Sequence, residues 1–239
     1  MAGGLDRAVN SAPLVGNIRL VPVVAPDMTT IGFIGSGRIG SSVAKAAIAH
    51  GYDVIMSNSR GPETLADLVA DLGPHATAAT GSDAAKSADF VVVTVPLKSA
   101  LHIPVAPLAG KVVIDTNNYY FERDGHIAEI DDGDITVSGL LQRHLKDSRV
   151  AKGFNHIQSD QILSDATQHG TPGRRALATA SDFPYAIALV TEFFDEIGFD
   201  TVAIGPLSES WRIDRDEPGY GGRFDRDQLT AKIAEASRP

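Results

Sequence analysis

"TTIGFIGSGRIGSSVAKAAIAHGYDVIMSNSRG", Thr29 to Gly61, decides the fold. A short apolar run, Ile31 to Ile34, ends in Gly35-Ser36-Gly37-Arg38-Ile39-Gly40. A helix-like stretch with the small residues Ala44, Ala46 and Ala47 follows and stops at His50-Gly51. A second apolar run, Val54 to Met56, ends in Ser57-Asn58-Ser59-Arg60. Gly35 permits a tight turn out of the strand, Gly37 lets backbone approach a pyrophosphate, and Gly40 lets helix and sheet pack closely. The helix N-terminus offers unpaired N–H groups and a partial positive charge to phosphates. Gly51 suits a left-handed C-cap. The competing reading is a glycine turn that binds nothing. The context of strand, glycines, helix and second strand at the right distance favours the dinucleotide site.

The end of the second strand reads the ribose. A site for NAD carries Asp or Glu there, accepting from the 2′-hydroxyl. Here Ser57, Asn58, Ser59 and Arg60 occupy the place, and no carboxylate appears until Glu63. Hydroxyls, an amide and a guanidinium fork suit a dianionic 2′-phosphate. The reading is NADP(H), against the alternative that Arg60 is a solvated surface residue.

Strand and helix signals alternate from here on, the pattern of an α/β, Rossmann-type doubly wound parallel sheet with a small C-terminal α/β extension. "PETLADLVADLG" (62–73) reads as a helix, "HATAAT" as a weak strand, and "SDAAKSA" (82–88) as a short helix with Ser82 as its N-cap. "DFVVVTVP" (89–96) and "KVVIDTNN" (111–118) are buried strands, while "YYFERDGHIAEIDDGD" reads as a surface loop. "GLLQRHL" has helical spacing and "SRVAKGFNHI" returns to the sheet. "RALATAS", "YAIALVTEFFDEIG" and "DTVAIGPL" give strand, helix and strand. A charged, glycine-rich loop and a last helix near 229–236 close the chain. The expected division is a loose N-terminal extension at 1–28, an NADP-binding domain at 29–157, and a C-terminal extension at 158–239 that completes the sheet and the substrate site. The segment 1–28 is broken by Arg19, Pro13, Pro22 and Pro26, and lacks the basic and apolar regions of a secretory signal.

Composition narrows the function. With 239 residues and 43% hydrophobic content, the chain can bury one sizeable core and a small appendage. A formal net charge of -9 argues against a nucleic-acid partner. The absence of cysteine removes disulfides, thiolate zinc sites and cysteine nucleophiles, and is compatible with a reducing, cytoplasmic setting. No apolar run is long enough to span a bilayer. The expected partner is a small-molecule redox co-substrate, with a homodimer as the candidate assembly.

Hydride transfer between two redox cofactors asks the protein mainly to align two rings. Accordingly no H-E-x-x-H, no G-x-S-x-G and no paired carboxylates on one helix face occur, and the cluster Asp131, Asp132, Asp134 beside Gly133 reads as a solvated turn rather than a metal site. Val95-Pro96 ends the central strand at the carboxyl edge, where such sheets bind ligands, and Pro96 presents an apolar ridge suited to a nicotinamide face. The alternative is a plain strand-to-helix turn. Phe154, Asn155, His156 and Ile157 end a later strand on the same edge and are the candidate substrate-binding residues. His156 is the candidate acid, with positioning and structural roles as the alternatives.

In order along the chain, "IGFIGSGRIG", "SNSR", "VVVTVP", "VVIDTNNYY", "RVAKGFNHI" and "IGFDTVAIGPL" resemble the NADPH-dependent reductases of the deazaflavin coenzyme F-420. The resemblance implies that Ser36, Gly37, Arg38 and Ile39 contact the pyrophosphate and that Ser59 and Arg60 contact the 2′-phosphate. It further implies that Pro96, Asn155 and Ile157 line the site where nicotinamide and deazaflavin stack. Archetypal members close that pocket with an apolar C-terminal helical segment, whereas "SWRIDRDEPGYGGRFDRDQL" is charged. The expected activity is hydride transfer between NADP(H) and coenzyme F-420 or a flavin-like acceptor. The alternatives are reduction of a small carbonyl or imine compound and a non-catalytic NADP(H)-binding redox sensor.

Overall fold

The computed structural model describes residues 29–238. The expected N-terminal extension, 1–28, lies outside the described residues. The main sheet has six parallel strands: β1 (Thr30–Ile34), β2 (Asp53–Ser57), β3 (Ala76–Ala78), β4 (Phe90–Val93), β5 (Val112–Asp115) and β6 (Arg149–Lys152). Their spatial order is β3-β2-β1-β4-β5-β6, that of the Rossmann fold. Parallel neighbours need long crossovers, and these carry helices that cover both faces. The crossovers hold α1 (Arg38–Ala49), α2 (Ala66–Leu72), α3 (Gly81–Ser87), α4 (Leu97–Ala100), α5 (Phe121–Asp124), α6 (Ala128–Asp131) and α7 (Val137–His144).

Side-chain alternation along the strands divides the core. Phe33, Met56, Phe90, Val92 and Ile114 face one side, where Val43, Ala44 and Ala47 of α1 pack together with Phe193 and Phe194. Val91, Val93, Val113 and Val150 face the other, against Ala85 of α3 and Leu141 of α7. Gly32 makes the second packing close: an added Cβ would lie 2.7 Å from the Ala84 carbonyl oxygen.

The C-terminal part was expected to complete the main sheet, and it does not. After α8 (Gln161–Ser164), β7 (Ala176–Thr179) and β8 (Asp200–Ala203) pair with each other as a separate two-stranded parallel sheet, joined through α9 (Pro184–Glu196). One antiparallel bridge, Lys152 to Ala180, ties this sheet to β6. The reason lies in who satisfies the outer carbonyls of β6. Ser181 Oγ donates to Val150 O at 2.6 Å and Thr179 Oγ1 to Lys152 O at 2.9 Å, so hydroxyls stand where a strand ladder would run.

Three local readings are also corrected. The N-cap of α3 is Thr80, whose hydroxyl accepts from Asp83 N, and not Ser82. The stretch read as a surface loop after β5 contains α5 and α6. The last helix, α10 (Arg226–Glu235), begins earlier than its apolar residues suggest, because Asp225 and Gln228 form a capping box.

Gly32→Ala is expected to lower stability by ~1–3 kcal/mol through overpacking against α3. A urea titration should show a lower midpoint with an unchanged slope.

Candidate functional site

β1 ends at the carboxyl edge of the sheet, next to the point where strand order reverses between β1 and β4. Gly35 sits at φ +116°, a backbone conformation that disfavours a side chain, and an added Cβ there would lie 2.7 Å from the Thr94 carbonyl oxygen. A Cβ at Gly40 would lie 2.6 Å from the Gly35 carbonyl oxygen. At Gly37, the N-cap of α1, an added Cβ would meet nothing within 4 Å. No side chain caps α1 and no acidic residue stands in its first turn. The donors of that turn thus open onto space at the ligand-binding edge of the sheet.

The space is a cleft of two lobes that share Val95. The larger, of about 640 Å³, is lined by residues that include Gly35, Ser57, Asn58, Ser59, Thr80 and Lys98. The smaller, of about 280 Å³, is lined by residues that include Gly37, Arg38, Pro96, Asn118, Tyr120 and Arg123. Neither lobe has a carboxylate among its lining residues, although the chain as a whole carries a net charge of -9.

The residues expected at the dinucleotide fall in three groups. Gly35, Gly37, Arg38, Ile39, Ser57, Asn58, Ser59, Val95 and Pro96 line the cleft. Ser36 and Gly40 lie in the turn without lining it. Arg60 is exposed and directly follows Ser59, and among the described residues its guanidinium makes no ion pair and no hydrogen bond. Two side chains are occupied. Ser57 Oγ donates to Phe33 O at 2.6 Å, and Asn58 Oδ1 accepts from Arg60 N at 2.8 Å while its Nδ2 donates to Thr64 Oγ1. Asn58 therefore shapes the loop that presents Ser59 and Arg60.

The expected substrate residues lie elsewhere. Phe154, Asn155, His156 and Ile157 are each at most 5% exposed, and none lines either lobe. Phe154 adopts φ +59°, which turns its ring inward against Phe194, at 4.8 Å between centroids. Asn155 Nδ2 donates to Ile213 O at 2.7 Å and to Asn118 Oδ1 at 3.1 Å. His156 Nε2 accepts from Ala178 N at 3.1 Å, so Nδ1 carries the proton and donates to Asn155 Oδ1 at 3.2 Å. Burial, with the nearby charges of Arg175 and Lys152, pushes the His156 pKa down to about 3. A neutral, fully engaged imidazole cannot serve as the acid. It is a joint between β6 and β7.

What sequence reading missed is the wall made by Asn117, Asn118, Tyr120 and Arg123. The signal was available: "DTNN" leaves a buried strand at the carboxyl edge, the edge already used to select Val95-Pro96. Behind that wall the charged C-terminal stretch folds back as a strap. Tyr220 meets Tyr120 hydroxyl to hydroxyl at 2.8 Å, and Lys152 lies 3.2 Å from an Asp214 carboxylate oxygen.

Strand order, glycine turn and cleft define a Rossmann-type α/β domain with an open site at the carboxyl edge of its sheet. Residues 30–119 match the family described as "NADP oxidoreductase coenzyme F420-dependent", so the likeness carried by the sequence motifs holds over that stretch, less than half of the chain. Among solved structures, the Sinorhizobium meliloti protein SMa0349 is 27% identical, with 84% of this chain and 97% of that one covered at a TM-score of 0.73. A protein assigned as an F420-dependent NADP-reductase from Arthrobacter is 20% identical, covering 77% and 87% at a TM-score of 0.64. The pyrroline-5-carboxylate reductase of Coxiella burnetii shares the fold at 18% identity, covering 78% and 63% at a TM-score of 0.55. The Escherichia coli protein YjhV is 39% identical over 51 residues, 21% of this chain and only 37% of its own length. Among the described residues, no helix is long and apolar enough to cross a membrane.

Two predictions follow the geometry. Gly37→Val should leave the melting temperature unchanged, because its side chain meets open space, and should abolish dinucleotide binding in a calorimetric titration. The second concerns His156, whose folded pKa of about 3 lies below the ordinary 6.5. Between these values only the unfolded chain takes up the proton, so His156 lowers stability as pH falls from about 6.5 towards 3 and contributes no pH dependence above 6.5. His156→Gln should shrink the loss of denaturation midpoint between pH 7 and pH 4.

Proposed function

We propose that this protein transfers a hydride between NADP(H) and a flavin-like acceptor, with the deazaflavin coenzyme F-420 as the leading candidate. The observation that carries the reading is the uncapped N-terminus of α1, opening on a cleft without carboxylates. The fit to a dinucleotide is chemical as well as spatial. Arg38 stands in the first turn of α1, where the helix dipole disfavours a cation unless an anion lies beside it, and it has no ion-pair partner among the described residues. Gly37 leaves room for a pyrophosphate. Ser59 and Arg60 are free to take a 2′-phosphate on the larger lobe, which leaves the smaller lobe, with Pro96, for the nicotinamide and the acceptor.

The bound nicotinamide supplies the hydride. The protein's share is to hold the pyrophosphate on the donors of α1, to fix the ribose through Ser59 and Arg60, and to present Pro96 as an apolar surface. The family name and the Arthrobacter relative support an F-420 acceptor, and the reductase neighbours support the redox class.

Mixing the protein with NADP⁺ and reduced F-420 should regenerate the oxidised deazaflavin spectrum, with plain flavin as the control. Tight NADPH binding without turnover in either direction would replace the enzyme with a redox sensor. Arg60→Ala should weaken NADPH binding by ~1.5–3 kcal/mol, the range for a hydrogen bond to a charged group, and leave NADH binding nearly unchanged. Equal losses for the two cofactors would remove Arg60 from the 2′-phosphate.

A further inference from the structure

One phenol, Tyr120, lines the smaller lobe, whereas His156 does not. Two guanidinium groups stand over the Tyr120 ring: Arg123 Cζ lies 4.9 Å from the ring centroid and Arg215 Cζ 5.1 Å. Both cations are held in place. Arg123 donates to both carboxylate oxygens of Asp124 and to Asn118 O, and Arg215 donates to Glu122. Tyr120 N is itself fixed on Asp124 Oδ2 at 3.1 Å.

A count of protons at the Tyr120–Tyr220 pair leaves one hydroxyl proton unused, and the contacts of Asn118 bear on which one. Two hydroxyls share one contact of 2.8 Å, so one hydroxyl proton is left for a third group. Asn118 is oriented by Asn155, accepting through Oδ1 and donating through Nδ2 to Asn155 O at 2.7 Å, and the same Nδ2 lies 3.4 Å from the Tyr220 oxygen. Tyr220 thus accepts from Asn118, and the Tyr120 oxygen is the one hydrogen-bonded acceptor its own proton has among the described residues, which makes Tyr220 the donor of the pair. Its proton points to the Tyr120 oxygen. The proton of Tyr120 is left for the lobe.

We propose that Tyr120 is the proton donor to the second substrate, hydrogen-bonded to a heteroatom conjugated with the carbon that takes the hydride. This rests on the hydride-transfer reading above and assigns that acceptor a chemical class: a conjugated carbonyl or imine system, the kind present in a deazaflavin ring. When hydride from NADPH forms the new C–H bond, the electron pair of the acceptor's π bond moves onto its heteroatom. The Tyr120 O–H breaks, its proton bonds to that heteroatom, and the pair from the O–H bond stays on the phenolate. NADPH is oxidised and the acceptor reduced by two electrons, and a proton from water restores the phenol. Arg123, Arg215 and the Tyr220 hydroxyl stabilise the phenolate while it lasts.

Tyr120→Phe keeps the ring against its two arginines and removes only the hydroxyl. With NADPH and oxidised F-420 it should lower kcat by ~10²–10⁴-fold, the usual contribution of a positioned acid. In a readout free of turnover, quenching of F-420 fluorescence by the NADP⁺ complex should show the deazaflavin bound about fivefold more weakly, the loss of one hydrogen bond. The dissociation constant for NADPH and the melting temperature should stay at wild-type values. Tyr220→Phe, which leaves the Tyr120 proton in place, should cost kcat far less. A Tyr120→Phe enzyme with wild-type kcat, an equal loss for Tyr220→Phe, or a parallel loss of NADPH affinity overturns the proposal while the acceptor reading stands. Wild-type protein that neither binds nor turns over F-420 overturns the acceptor reading, and the role of Tyr120 with it.

Discussion

Three backbone segments meet at Gly35, and the site depends on how closely they approach. Thr94 Oγ1 donates to the Gly35 carbonyl at 2.9 Å, which locks the end of β4 to the turn that leaves β1. An added Cβ at Gly35 would lie 2.6 Å from that same hydroxyl, and one at Gly40 would lie 2.7 Å from it. Close approach at these two glycines sets the first turn of α1 over the gap between β1 and β4. Gly37, between them, touches nothing, and that is where a ligand can come.

Charge is distributed around this point with a sign opposite to that of the whole chain. Carboxylates are engaged away from the cleft: Asp195 and Asp200 hold Arg174, Asp165 holds Arg175, and Glu129 holds Arg143. The cleft keeps Arg38 and Lys98 without an ion-pair partner among the described residues, while Arg123 is paired with Asp124 just outside the lining. A net charge of -9 therefore describes the outside of the molecule and not its site.

Two fully buried cations organise the back of the smaller lobe. Lys152 donates to Asn117 O and lies beside Asp214, and Arg175 donates to Asp165, Gln161 and Gly222 O. Each joins the main body to the C-terminal strap, and both suppress protonation of His156. Removing a partner would leave a charge stranded in the interior, which costs about 3–5 kcal/mol in such settings. The strap that brings Tyr220 to Tyr120 is thus held by buried electrostatics, where archetypal relatives were expected to use an apolar helix.

The sequence by itself determined the glycine turn, the doubly wound parallel sheet around it and the absence of a carboxylate after β2. These follow from local spacing: a strand, a G-x-G-x-x-G turn and a helix admit one compact arrangement, with its consequences at the carboxyl edge. Tertiary structure alone decided which of the edge residues face ligand. "GFNHI" and "DTNNYY" both leave strands at that edge and both carry polar and aromatic groups. The first is turned inward by Phe154 and sealed by β7 and the strap, while the second is left open. The same holds for the second sheet, whose separation from β6 depends on two hydroxyls that arrive some 30 residues later in the chain. Short-range pattern reports what a segment can form. Burial depends on what the distant remainder of the chain lays over it, and here that was a strap whose charged composition read as solvent-facing.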